Sequence, residues 1–140
     1  MDYAKSVFIE EAVMSIPSRE IFIAKKAKQI VDKLDLQGEE KEEDFVNFLK
    51  GLPSDISQNG IMQTVLFLNS KIDKSKDKKY EKLYSNLLTF YNDYFSKSAD
   101  SLEDEFVQIS NIVNYLHVQQ VFISFTIWLK RFALSLKTND

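Results

Sequence analysis

Residues 118 to 136, VQQVFISFTIWLKRFALSL, limit the possible folds more than any other stretch. A helix drawn through them is apolar on nearly every face, a pattern that only a buried helix can use. One seam runs Val121, Phe125, Trp128, Phe132, Leu136, and a second runs Ile123, Ile127, Leu134. Two thin polar lines interrupt the apolar surface. His117, Gln120, Ser124, Arg131 and Ser135 form one; Gln119, Thr126, Lys130 and Lys137 form the other. Their spacings place each set along one line of a helix. The stretch therefore predicts the buried central spine of a small domain, with Lys130 and Arg131 held side by side.

The rest of the chain reads as further helices. With 3 Gly and 2 Pro in 140 residues it is too poor in turn formers for a β fold. A first helix is predicted over 3–14, with Val7, Phe8, Ala12 and Val13 inward, and Ser15-Ile16-Pro17-Ser18 interrupts it. A second runs to about Leu34 on the core line Ile23, Ala27, Ile30, Leu34, with Ala24 and Val31 beside it. Leu36-Gln37-Gly38 is its stop. The third, 39–50, opens on EEKEED, carboxylates suited to the start of a helix dipole, and buries Phe45, Phe48 and Leu49. Gly51-Leu52-Pro53 should end it, and Asp55 or Ser57 should cap a fourth helix running to about Ile72. There Ile61, Val65 and Leu68 line one seam, Met62 and Leu66 the next. Residues 71–79 predict an exposed lysine-rich loop. From Tyr80 to Lys97, Leu83, Leu87, Phe90 and Tyr94 make one stripe and Tyr84, Leu88, Tyr91 and Phe95 its neighbour. Asp100-Ser101-Leu102-Glu103 predicts a capping box, and a break near Ser110-Asn111 precedes the spine. The expectation is an all-α chain, one compact bundle of five to seven helices over 1–140 with a buried C-terminal helix.

Composition excludes much chemistry. There is no Cys, so no disulfide frame, thiolate metal site or cysteine nucleophile is available. His117 stands alone, which rules out di-iron and His-type zinc sets and leaves a hydrogen-bonded or partly exposed side chain as its reading. Phosphate loops and dinucleotide fingerprints are missing. No catalysis, cofactor or metal is expected. The N-terminus MDYAKSVFIEEAV lacks a basic lead before an apolar core. No run approaches the roughly 18 apolar residues of a membrane span. A cytoplasmic protein without membrane contact is the expectation. The net charge of −3 argues against a wholly basic nucleic-acid binder but leaves room for a basic face. Lys25, Lys26 and Lys28, with Lys130 and Arg131, lie on regular helices where a phosphate backbone could be tracked. Solubility is the competing reading for each. In QNGIMQT, Gly60 suits close approach of a second helix or a ligand backbone, and Asn59 and Gln63 share a face.

QNGIMQTVLFLNSKI, residues 58–72, resembles the signature of the small subunit of the type III-B CRISPR effector, the Cmr complex. The matching positions are Asn59, Gly60, Gln63, Thr64, Phe67 and Lys71. IWLKRFAL, residues 127–134, resembles the ending of that family at Trp128, Lys130, Arg131, Phe132 and Ala133. AKKAKQIVDKL, residues 24–34, is similar to its basic first helix. Residues 1–16 look like an addition to the family pattern.

The resemblance implies a non-catalytic helical subunit, copies of which stack into a filament beside other subunits of the Cmr effector. It implies contact with crRNA and target RNA through a basic face, without sequence readout, while cleavage belongs to other subunits. Asn59, Gln63, Lys71 and Arg131 are the first RNA-facing candidates, with Lys130 beside them and Lys25, Lys26 and Lys28 next. Lysines 74 to 79 match no motif. Two other readings stand beside it: a helical protein–protein adaptor without nucleic-acid contact, and the small subunit of the related type III-A effector.

Overall fold

The computed structural model describes residues 16–34, 36 and 43–138. The expected helix over 3–14, the acidic burst 39–42 and the side chains of Leu136 and Lys137 lie outside the described residues. Six α-helices and no strands occur among the described residues: α1 Ile16–Leu34, α2 Glu43–Asn59, α3 Ile61–Lys74, α4 Lys79–Phe95, α5 Leu102–Val107 and α6 Ile112–Thr138. The chain is all-α, as the sequence leads one to expect.

Helix α6 is the spine, about 40 Å long at ~1.5 Å per residue. Its most extensive neighbours are α1 and α2. The buried stripe is Val118, Val121, Phe122, Phe125, Thr126, Leu129 and Ala133. That differs from the expected seam, because Trp128 and Phe132 are only partly buried. Trp128 carries an N–H that must find an acceptor when buried, and it reaches Glu20 at the domain's edge. Thr126, expected on a polar line, is buried because its hydroxyl donates to the Phe122 carbonyl at 2.9 Å. By length and hydropathy alone, Ile112–Ser135 could cross a membrane. Here the stripe from Val118 to Ala133 packs inside the fold, while Ile112, Val113 and Leu116 at the start of the helix are exposed.

The core between α4, α5 and α6 is aromatic. Phe90 stacks on Phe125 with centroids 3.7 Å apart and rings 13° from parallel. It also meets the edge of Phe122 at 5.7 Å. Phe106 of α5 makes T-shaped contacts with both Phe122 and Tyr91. The edge-on contacts have the favoured geometry for ring pairs, whereas Phe90 lies nearly face-to-face on Phe125, both rings fully buried.

The expected break at Gly51-Leu52-Pro53 does not occur; α2 runs through it to Asn59. Pro53 removes a hydrogen bond to Leu49 and an interior proline costs about 3 kcal/mol. Against this, Leu52 and Ile56, each 1% exposed, extend the buried stripe of Phe45, Phe48 and Leu49. Burying each such side chain contributes roughly 1.5–3 kcal/mol, enough to carry the helix past the proline. The true boundary is Gly60, so neither Asp55 nor Ser57 caps a helix. The lysine-rich connection is short, since α3 extends to Lys74 and α4 starts at Lys79.

Polar clasps close the remaining joints. Ser101 caps α5 by accepting from the Asp104 amide at 3.1 Å. Asn111 caps α6 by accepting from the amides of Val113 and Asn114. After α4, Ser96 takes a left-handed conformation and the Asn92 side chain holds both the N–H and C=O of Ala99. Glu103 is a hub, accepting from the Tyr84 hydroxyl at 2.7 Å and from Asn69 at 3.2 Å. Burial works against its ionisation, but hydrogen bonds from Tyr84, its own amide, Asn69 and Ser101 outweigh burial and hold its pKa below the usual range. Burial raises the phenols of Tyr84 and Tyr91, and their bonds to Glu103 and Glu105 add to the rise.

Two outcomes are expected. Phe125→Ala should destabilise the fold by about 3–5 kcal/mol, read as a lower denaturant midpoint. Stability should also fall at both pH extremes. A depressed carboxyl stabilises above the unfolded-state value of about 4.3, and that contribution is lost as pH falls through the folded value. Raised phenols stabilise below about 10 and lose that contribution as pH rises beyond it. Tyr84→Phe should weaken both dependences in melting curves taken across pH.

Candidate nucleic-acid interface

The α2–α3 corner is built around Gly60. Its backbone stands at φ 89°, ψ 157°, a region open essentially to glycine. This places it at the N-cap of α3 and not within the helix's first turn. A Cβ there would lie 3.5 Å from both Gln119 Oε1 and the Tyr115 hydroxyl. Those two α6 side chains accept hydrogen bonds from the Ile61 amide (3.0 Å) and the Met62 amide (3.2 Å). Thr64, buried, donates its hydroxyl to the Gly60 carbonyl at 2.9 Å. Within QNGIMQT, Gly60 and Thr64 thus hold the corner together, while Asn59 and Gln63 are exposed.

At the other end of α6, Arg131 is exposed and lies over the Trp128 ring at 5.3 Å. Trp128 stacks on Phe132 at 5.9 Å and donates its indole N–H to Glu20 of α1 at 2.8 Å. The guanidinium is thereby fixed against an aromatic plane that is itself tethered. Lys130, next to it, is partly buried.

The remaining candidates are dispersed. Lys25 and Lys28 are exposed on α1, and Lys28 pairs with Asp32 at 3.3 Å on its own helix. Lys26 bridges to Asp93 of α4 at 3.2 Å and lies 5.6 Å over Phe22. Lys71 lies 5.5 Å over Phe67, which stacks on Phe48. It lines a cavity of about 680 Å³ between α2 and α3 whose opposite wall carries Asp44 and Asp55. His117 is exposed and makes an edge contact with Phe95.

The two matched motifs therefore meet one helix without forming one cluster. Gln119, beside the Gly60 corner, and Arg131 are separated by about 18 Å along α6. The sequence reading missed Tyr115, which clamps the corner, and Glu20, which anchors Trp128. Gln119 was visible only as a member of a polar line. Glu20 and Trp128 are 108 residues apart, and no local pattern links them.

Fold and site define a small all-α protein with cations fixed on helix surfaces. Among the described residues no group of three or more His, Cys, Asp or Glu could hold a metal. The family model described as CRISPR-associated protein (Cas_Cmr5) matches residues 19–136. The CRISPR system Cmr subunit Cmr5 of Thermotoga maritima is 31% identical over 121 residues, which are 85% of this chain and 84% of that one. No solved structure matches significantly. The chain belongs to the Cmr5 family of CRISPR-associated proteins.

Gly60→Ala should destabilise the protein by about 1–3 kcal/mol, because alanine cannot hold this backbone without strain. Gln119→Ala should cost about 1–2 kcal/mol by leaving the Ile61 amide unpaired. Thermal melts of the purified variants check both.

Proposed function

We propose that the chain is a non-catalytic structural subunit of a type III-B CRISPR-Cas effector, acting in the cytoplasm. Copies of it stack into a filament beside other Cmr subunits. Each holds crRNA and target RNA through fixed cations without reading sequence. The observation that carries this reading is the family match across 19–136, which takes in all six described helices but for the first three residues of α1 and the last two of α6. Arg131, exposed on a tethered indole, supports the RNA contact, since a guanidinium held in place loses less freedom on meeting a phosphate. Asn59, Gln63, Lys71, Lys130, Lys25, Lys26 and Lys28 are candidates for the same role.

A specific observation also favours protein contacts. Val107, Ile112, Val113 and Leu116, at the α5–α6 junction, are 70%, 66%, 69% and 48% exposed. Apolar side chains grouped in this way suit an interface with a neighbouring subunit. A pure adaptor would use that strip and dispense with the cations.

Charge reversal separates the two. Arg131→Glu should weaken RNA binding and lower the salt slope of log K by about one, with circular dichroism unchanged. RNA binding indifferent to salt would sink the phosphate contact. Val113→Asp should leave the unfolding free energy within about 0.5 kcal/mol of wild type, as for an exposed site, yet impair assembly in a pull-down. Assembly that survives nuclease treatment and tolerates Arg131→Glu, with no RNA crosslinks, would favour the adaptor.

A further inference from the structure

The groove between α1 and α4 carries a pattern that none of the matched motifs uses. On α1, Lys26, Gln29 and Lys33 form one line at spacings of three and four. On α4, Lys82, Asn86, Thr89 and Asp93 form another at four, three and four. The helices run antiparallel here, because Phe22 meets Tyr94 at 6.0 Å and Lys26 meets Asp93, while Lys33 and Asn86 line the same groove further along. Its floor is Ile30 and Phe90, both buried. The cavity is about 100 Å³. That is below the ~300 Å³ of a small-molecule pocket but holds a few waters or a phosphate group.

The charge is one-sided. Lys26 and Lys33 line the groove with a single carboxylate, Asp93, which already holds Lys26, and Lys82 continues the α4 line one turn beyond Asn86. Gln29 and Asn86 add neutral amide donors; one Asn86 N–H is taken by the Lys82 carbonyl at 2.7 Å and the second remains. None of the exposed large hydrophobic residues lines this groove, so it lacks the apolar anchor typical of a protein hot spot. Lys26 and Lys33 lie about 10 Å apart along α1, a span that takes in neighbouring phosphates of one strand.

We propose that the α1–α4 groove is a track for the sugar–phosphate backbone of RNA, with Lys26, Lys33 and Lys82 on phosphates and Gln29 and Asn86 donating to the same oxygens. This rests on the RNA-binding reading above and specifies where the strand runs. Asp93 acts as the built-in competitor: it positions Lys26 in the free protein and gives way to a phosphate.

The test titrates the full chain with a labelled single-stranded oligouridylate at several KCl concentrations. Lys33→Gln and Lys82→Gln, both exposed and outside the ion pair, should each weaken binding and lower the salt slope by about 0.7. Asp93→Asn should tighten binding by more than Asp104→Asn, which removes the same charge away from the groove; equal effects would overturn the competitor role of Asp93. Circular dichroism confirms that each variant is folded. If Arg131→Glu abolishes binding while the groove variants match wild type, the groove is overturned and the RNA-binding reading stands. If wild type binds no RNA, both fall. Should Lys33→Gln leave RNA affinity untouched but disrupt assembly after nuclease treatment, the groove takes a protein and the proposal is also overturned.

Discussion

The stacking of Phe90 on Phe125 is the contact on which the bundle depends. It joins α4 to the spine at its middle, and Phe122, edge-on to Phe90, links the pair to Phe106 and Tyr91. A six-residue helix such as α5 cannot hold itself together in water. It is kept in place by Phe106 within this nucleus and by the Glu103 hub, where one carboxylate links α3, α4 and α5. Apolar and polar contacts here support each other. Tyr91 belongs to the ring cluster, and the phenols of Tyr91 and Tyr84 hold Glu105 and Glu103, the carboxylates that fasten the short helix.

The Asn-Gly-Ile-Met-Gln-Thr segment divides its residues between the backbone corner and the surface. Its glycine and threonine serve the backbone: one adopts a conformation that other residues avoid, the other closes a hydrogen bond within the turn. Only Asn59 and Gln63 remain at the surface. The C-terminal signature divides in the same way. Ala133 is buried, Trp128 and Phe132 form a partly exposed aromatic shelf, and Arg131 rests on it.

Much of the architecture was legible in the sequence. Periodicity located the core line of α1 and the stripes of α4, and Ser101 and Asn111 marked two starts correctly. Two errors have physical causes. Pro53 and Gly51 are strong local stop signals, but Leu52 and Ile56 lie on the continuing apolar stripe, and long-range burial overrode the local rule. On α6 the apolar surface is so wide that periodicity could not fix its rotation; Trp128 was assigned inward, although its indole reaches an acceptor at the rim. The candidate site was legible as residue types and not as an arrangement. Nothing in the order of the residues shows that Lys26 finds Asp93, or that the two motifs stand three helical turns apart.

The clamp on Gly60 also decides how α3 presents itself electrically. A helix start usually offers free amides and a positive dipole end to an incoming anion. Here Gln119 and Tyr115 have filled the first two of those amides from within the fold. The most familiar seat for a phosphate in this corner is therefore taken by the protein's own oxygens. A polyanion passing the signature would have to be met from the side, by the exposed amides of Asn59 and Gln63.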